Sequence, residues 1–564
     1  MSTMQKGHTV AVVFLLMLIF APPSNCSYQN ILKFLHVSDI HLDPFYDKSI
    51  DKTTRCHAAG STSNADYEAP YGRIGCDSPT DLLELTLSAM REKGDNAKFI
   101  ILTGDSTGHG LTDDHGSHTV LESMSLVSSN IHQVFPDIPV FPAFGNNDLP
   151  GHYILPNNSA WYRTILSYWA PLILCSECQE HVQKPTTIEA LSKTFLDGGY
   201  YSVNIADGKM ILLILNTMYW NDNRYTDPLV EQIAENQMQW FSNQLQLAKD
   251  QGKRVLIMSH IPPGGDPYGY NYFWYPEYIK RYVSLTAGKY HDVVAGQFYA
   301  HTHSDDFHLQ ILDAADEKAE EVSTKSFVLM APSVSPVYAN NPAFRIMSLN
   351  TDIQALVDYD QYYLDLVIAT EFSNPVWKFD YTFSKKYPSK NKLIDANRID
   401  ELNQQLISQT DGTYWKGYIQ SRTTNYQPSD YDRLPLYCVM RYVFEEDFAK
   451  CHEKFKMQDC ATSSPSRVVL DSSICSSPRP STSAGNTKGH PPVTTKSNTE
   501  KGAKTIKKKV RQDFATSTPS RVVLDSSICS FPRPSTSAGN TKGHPPVATK
   551  SNTEKGAKTK RRKW

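Results

Sequence analysis

Between Tyr28 and about Leu356, short apolar runs alternate with longer amphipathic stretches. ILKFLHVSD, AKFIILTGD, IPVFPAFGN, KMILLILNT, KRVLIMSH and DVVAGQFYAHTH each hold 5 to 9 residues of strand-forming character, and each ends in polar residues. DLLELTLSAMREKGD and ENQMQWFSNQLQLAKDQG, between them, repeat apolar positions at helical spacing, and Gly252 is placed to stop the second. This alternation predicts an α/β layered domain, whose chemistry gathers on loops beyond the carboxyl ends of the strands.

Those loops carry Asp39 and His41 in DIH, Asp105 in GD, Asn146 in GNND, His260 in SH, and His301 and His303 in HTH. A lone histidine after a strand is most simply a satisfied structural side chain. Five successive strands ending in carboxylate, amide or imidazole are not independent accidents. Together they supply two aspartates, one asparagine and four histidines, enough for two divalent cations that share one carboxylate. Three or more neutral imidazoles favour zinc, and ligand type alone leaves manganese and iron open.

The N-terminal MSTMQKGHTVAVVFLLMLIFAPPSNCS has an early lysine, an apolar run from Val10 to Ala21 and small residues after it. Residues 1–26 therefore read as a secretory signal peptide, too short for a comfortable membrane span, and the mature chain is expected to be secreted, extracellular or lysosomal. In such a compartment the cysteines predict disulfides. Cys56 and Cys76 bracket a loop rich in Ser, Gly and Asn, and Cys438 and Cys451 bracket YCVMRYVFEEDFAKC. Cys175 and Cys178 form a CxxC without the second knuckle that a zinc ribbon needs, so a local disulfide is the simpler reading. Asn157, in NNS, is a glycosylation acceptor, which would make the chain a glycoprotein.

Of 564 residues, 40% are apolar and 11% aromatic, enough for a large packed core. Charge divides the chain: residues 461–564 hold 20 Lys and Arg against 5 Asp and Glu, leaving 36 and 54 in the first 460. The segment beginning ATSSPSRVVLDSSICSSPRP at Ala461 recurs almost verbatim from Ala515. Its Ser, Thr, Pro, Gly and Lys bias cannot bury enough apolar surface to offset ordering, so 461–564 reads as a duplicated, basic, disordered tail. It is most simply a solvated appendage, or a mis-joined gene model; anionic surfaces are the partner its charge would suit.

DIHLD, GDSTGH, GNND, SH and AGQFYAHTH, in that order, resemble the signature of the calcineurin-like metallophosphoesterases. HVSDIHLDPFY, CDSP at Cys76 to Pro79, LNTMYW and AGQFYAHTHSDDF narrow the resemblance to the acid sphingomyelinase and acid sphingomyelinase-like phosphodiesterase group, over about residues 30 to 460. The resemblance implies a four-layer α/β/β/α catalytic sandwich over 27–350 and a small helical C-terminal subdomain over 351–460. It implies one metal held by Asp39, His41 and His303, a second held by Asn146, His260 and His301, and Asp105 bridging them. His109 matches the family histidine that contacts the phosphate; Asp43 and, on less ground, Asp148 are candidates to orient ligating imidazoles. The activity implied is that of a secreted or lysosomal binuclear-metal phosphodiesterase, in which a metal-bridging hydroxide attacks a phosphodiester or phosphoanhydride.

One position departs from the pattern. The group reads GNH followed by Asp or Glu, and that histidine is implied to protonate the leaving oxygen; here Asn147 stands in its place. An amide cannot donate a full proton, so poor alkoxide leaving groups suffer most, and weight moves from sphingomyelin toward nucleotides or polyphosphate. The GNND form also resembles fungal endopolyphosphatases. His109 or His152, in PGHY, could substitute as donor, although an ordinary loop histidine is the simpler reading of His152. Acid sphingomyelinase carries a saposin-type module ahead of its catalytic domain, and with the first motif at Asp39 none is expected here. The aromatic segment 264–278, GGDPYGYNYFWYPEY, could stack on a base, touch a phospholipid bilayer or pack over the domain edge. Alternatives kept open are a sphingomyelin phosphodiesterase releasing phosphocholine and ceramide, an endopolyphosphatase, and a non-catalytic binding protein. A monomer without a transmembrane segment is expected.

Overall fold

The computed structural model describes residues 30–462, except 58–63, 176, 179–183, 225–226, 268–269, 313–323, 409–411 and 428–432. The expected signal peptide, and the expected duplicated tail beyond Thr462, lie outside the described residues. Twelve strands, β1 (Ile31–Val37), β2 (Ala97–Leu102), β3 (Val140–Pro142), β4 (Tyr201–Ile205), β5 (Met210–Ile214), β6 (Val255–Met258), β7 (Val294–Tyr299), β8 (Asp306–Leu312), β9 (Thr324–Met330), β10 (Ala343–Asn350), β11 (Ala355–Leu364) and β12 (Trp377–Thr382), build two sheets. Their orders are β12-β11-β10-β1-β2-β3 and β4-β5-β6-β7-β9-β8. All six apolar runs of the sequence are strands: β1, β2 and β3 pair in parallel in the first sheet, and β5, β6 and β7 in the second.

Parallel strands are covered on both faces, which is why MILLI, VLIM and VAGQFY are buried at every position. The inner faces of the two sheets meet directly: Phe34 of β1 stands edge-on to Phe298 of β7 with ring centroids 5.7 Å apart. Gly296 of β7 makes room for Leu356 of β11, since a Cβ there would lie 2.6 Å from Leu356 Cδ1. Helices cover the outer faces with one apolar side each, as Leu82, Leu83, Leu87 and Met90 show on Thr80–Lys93. Pro228–Asp250 starts on Asp227, whose carboxylate accepts from Leu229 N and Val230 N, and ends before Gly252, at φ +64°. The result is the α/β/β/α layering that the resemblance implied.

The C-terminal boundary differs from expectation. Residues 351–460 were expected to be a helical subdomain, yet β11 and β12 lie within them and extend the first sheet by antiparallel pairing. The cause is register: ALVDYDQYYL alternates buried with less buried positions, a half-covered strand whose polar members break up the apolar run. Two short helices, Leu366–Glu371 and Phe383–Lys386, intervene, and the helical portion proper is Ala396–Ser408, Thr413–Arg422, Arg433–Arg441 and Glu445–Thr462. Among the described residues, disulfides join Cys56 to Cys76, Cys175 to Cys178 and Cys438 to Cys451, each pairing as the sequence suggested.

Because Leu356 occupies the space above Gly296, Gly296→Ala is expected to overpack the sheet interface and destabilise the fold by about 1–3 kcal/mol. Denaturant unfolding checks this, and an unchanged midpoint would contradict the tight contact.

Candidate metal centre

Five strand ends meet where the two sheets join. Asp39 and His41 follow β1, Asp105 follows β2 and Asn146 follows β3; His260 follows β6, and His301 and His303 follow β7. Five of these seven side chains hang from left-handed backbone: Asp39 (φ 47°), His41 (44°), Asp105 (53°), His301 (71°) and His303 (55°). Non-glycine residues adopt this region at a cost that surrounding structure must hold in place. Two glycines let the loops come this close. A Cβ on Gly145 would lie 2.1 Å from Asp105 Oδ1, and one on Gly104, at φ +94°, would lie 2.8 Å from Gly145 N.

The donor atoms converge. Asp105 Oδ2 lies 3.1 Å from His260 Nε2 and 3.5 Å from His41 Nε2, so this carboxylate stands between the two halves of the cluster. Asp39 Oδ1 lies 3.5 Å from His303 Nε2, 3.8 Å from His41 Nε2 and 3.9 Å from His260 Nε2. His41 Nε2 and His303 Nε2 are 3.0 Å apart. Ligand atoms of Asp39, His41 and Asp105 lie within 4.8 Å of one another, as do those of Asp105, His260 and His301 and those of His41, His109 and His303.

These residues fit divalent cations. Both oxygens of Asp39 and Oδ1 of Asn146 are buried with no hydrogen-bond partner, an arrangement that costs several kcal/mol per group unless a cation meets it. Burial alone would lower His41 and His260, but Asp105 with Asp39 beside them pushes both up to about 9. Burial and the His260 charge take His301 down to about 3, and burial and His41 hold His303 well below the imidazole range. Against burial, His260 and His41 hold Asp105 well below the carboxylate range. The cluster is a paired-charge site in which carboxylates and imidazoles face one another.

The surrounding contacts fix the orientation of each donor. His41 Nδ1 meets Thr107 O at 3.0 Å and His260 Nδ1 meets Thr103 O at 2.8 Å, which leaves each Nε2 facing inward. Asp148 is fully buried and accepts from Ser106 N (2.9 Å), Thr107 N (3.2 Å) and Gly145 N (2.9 Å), stapling the β2 loop to the β3 loop. Burial, then Asp105, raises Asp148 to about 6. Neither Asp43 nor Asp148 orients an imidazole of the cluster, as the sequence had suggested: Asp43 pairs with His57 at 2.5 Å, because the loop after His41 turns it away.

Asn147 is part of this support. Its backbone N–H donates to Asp105 Oδ1 at 2.8 Å and its side-chain amide to Asp105 Oδ2 at 2.9 Å. His152 reaches the cluster as well, with Nε2 3.0 Å from Asn146 Nδ2. Since an amide nitrogen only donates, that imidazole nitrogen accepts. His109 stacks on His41 with ring centroids 4.0 Å apart; its Nδ1 meets Asp77 at 3.0 Å, and its Nε2 faces the Tyr338 hydroxyl at 3.3 Å. Asp77, Ser335 and Tyr338 were missed by sequence reasoning, although Asp77 lies in the CDSP stretch that carried the resemblance. The aromatic segment is mostly packed: Trp274 and Tyr270 are buried, and Phe273 stands edge-on to His301, centroids 5.7 Å apart.

Replacing Asp148 by alanine removes the acceptor of three buried N–H groups. The expected cost is about 3 kcal/mol or more, together with loss of bound metal, read by denaturant unfolding and by metal analysis of the purified protein. A variant of normal stability and metal content would show that the staple is dispensable.

The comparisons with known proteins agree with this geometry. The model of the calcineurin-like phosphoesterase family matches residues 32–305. The chain is 31% identical over 364 residues to the cyclic GMP-AMP phosphodiesterase SMPDL3A of Homo sapiens, covering 63% of this chain and 75% of that one. It is 30% identical over 361 residues to the acid sphingomyelinase-like phosphodiesterase 3b of Homo sapiens, covering 63% and 76%. It is 27% identical over 375 residues to sphingomyelinase phosphodiesterase C of Dictyostelium discoideum, covering 64% and 79%. The chain belongs to the calcineurin-like phosphoesterases, in their acid sphingomyelinase-like group, and is a metal-dependent phosphodiesterase.

Proposed function

We propose that this phosphodiesterase uses two divalent cations, zinc by its donor set, and prefers phosphoanhydride bonds of nucleotides or polyphosphate over lipid phosphodiesters. Asp39, His41 and His303 would hold one cation, Asn146, His260 and His301 the other, with Asp105 shared. The unpartnered buried oxygens of Asp39 and Asn146 support this assignment. When bound, the cations supply Lewis acidity that neutralises the phosphoryl oxygens and acidifies the attacking water. Asn146 suits such a site because an amide oxygen binds metal without adding negative charge that would repel the phosphate.

The substrate preference rests on Asn147. Both of its donors serve Asp105, and neither carries a transferable proton. His152 turns a lone pair, not a proton, toward Asn146. Its role here is to fix the amide of Asn146 so that Oδ1 faces the cations. His109, held through Nδ1 by Asp77, is left to contact the phosphoryl group. With no acid at 147, the leaving group departs without the proton that the family histidine gives at that position. A phosphate can do so, because its conjugate acid is far stronger than that of an alkoxide.

The three disulfides and the exposed Asn157 of the NNS sequon support a secreted or lysosomal location. No helix among the described residues is long and apolar enough to cross a membrane.

A hydrolysis panel of ATP, polyphosphate, a cyclic dinucleotide, a chromogenic phosphodiester and sphingomyelin, at acidic and neutral pH with added zinc, checks the proposal. ATP or polyphosphate should turn over, sphingomyelin should lag, and His260→Ala should be inactive. Asn147→His should raise turnover of the alkoxide-leaving substrates by roughly a hundredfold and leave ATP nearly unchanged. Sphingomyelin hydrolysis by the unmodified protein at the ATP rate would overturn the preference.

A further inference from the structure

His301 and His303 occupy a short loop between β7 and β8, and both sit in left-handed backbone. On the β7 side the loop is held by Ala300 N donating to His260 O at 2.9 Å. On the β8 side it is held by the C-terminal helices. Asp305 N donates to the carbonyl of Arg422 at 3.2 Å, and the Arg422 guanidinium pairs with the Asp306 carboxylate. The Tyr418 hydroxyl donates to Asp306 Oδ1 at 2.6 Å. Arg422 thus grips the chain two and three residues beyond His303 with its backbone and side chain together, and all of these groups are buried. Burial would raise Asp306, yet Arg422 first and His308 second hold it down to about 2, so the pair is charged.

The same helix end reaches a second loop. Asn341 Nδ2 donates to Thr424 O at 2.9 Å, and Thr424 Oγ1 donates back to Asn341 O at 2.5 Å. Asn341 closes the loop that carries Ser335, which donates to Asp77 at 3.1 Å, and Tyr338, which faces His109. The segment from Tyr418 to Thr424 therefore fastens the loops on both sides of the His303 and His109 rings.

We infer that Arg422 is a positioning residue for the metal centre: clasping Asp305 and Asp306, it holds the loop of His301 and His303 in the left-handed geometry that presents their imidazoles to the cations. The inference rests on the reading of His303 as a ligand. A buried ion pair is weak evidence of stabilisation for its own sake, since apolar residues of equal volume often serve as well. An arginine whose carbonyl accepts from the Asp305 N–H while its guanidinium pairs with the Asp306 carboxylate, both just beyond His303, has a different use. It over-determines a strained loop at a functional site.

The test is zinc retention in the full chain. Arg422→Met should lose zinc to a chelator faster and bind it roughly ten- to hundredfold more weakly, as outer-shell partners of metal ligands do. The rise in melting temperature on adding zinc should shrink, and kcat should fall with KM little changed. Arg422→Lys, which keeps the charge without the planar fork, should recover part of the retention. Tyr418→Phe, which removes one hydroxyl, should shift retention in the same direction by less, and serves if Arg422→Met fails to fold. A merely structural arginine would lower the melting temperature equally with and without zinc and leave chelator stripping at the unmodified rate; that result overturns the inference. His303→Ala, run alongside, separates the two readings. If it loses zinc while Arg422→Met retains it, the clasp alone is wrong, and if it keeps zinc, the ligand assignment falls and the clasp with it.

Discussion

The structure depends on burying two carboxylates, Asp39 and Asp105, in the seam between two sheets. Ionised groups in such a place cost several kcal/mol each unless opposite charge is brought to them. The first sheet supplies the carboxylates and Asn146, and the imidazoles of His260, His301 and His303 arrive from the second. Neither sheet holds a complete set. His41 of the first sheet supplies part of the compensation, and the rest is available only once the two sheets have packed, through contacts such as Phe34 on Phe298 and Leu356 over Gly296. Fold and centre are therefore one construction, and the strained backbone at Asp39, His41, Asp105, His301 and His303 is maintained by a sandwich whose closure those same side chains require.

What could be read in advance follows from this. The central strands are predominantly apolar runs, and β1, β2, β3, β6 and β7 are each followed by a candidate ligand, so both strand and ligand stand out in one dimension. β11 does not, because half of it faces away from the core and Asp358 and Asp360 interrupt its apolar positions. The disulfides were readable because each pair encloses a short loop. Composition could not decide the aromatic segment 264–278: Trp274 packs inside while its neighbour Phe273 edges against His301, and only chain path separates them. The supporting residues were least legible. Asp77 meets His109 across 32 positions and Arg422 meets Asp306 across 116, separations over which sequence pattern carries no signal.

Asn147 shows how one substitution is read differently once its neighbours are known. In the sequence it is a missing acid, a loss and nothing else. In the structure it supports Asp105, because its two N–H groups bind the two oxygens of that carboxylate from outside the cluster and leave its remaining lone pairs turned inward. Each bond to an ionised acceptor in a dry site is among the stronger hydrogen bonds a protein makes. An imidazole at 147 could keep the backbone contact, since that belongs to the main chain. It could not both donate to Asp105 and release the same proton to a leaving group. The amide gives up proton delivery and adds one fixed side-chain bond to Asp105 beside the main-chain one, which fits the proposed substrates, whose leaving group needs no proton.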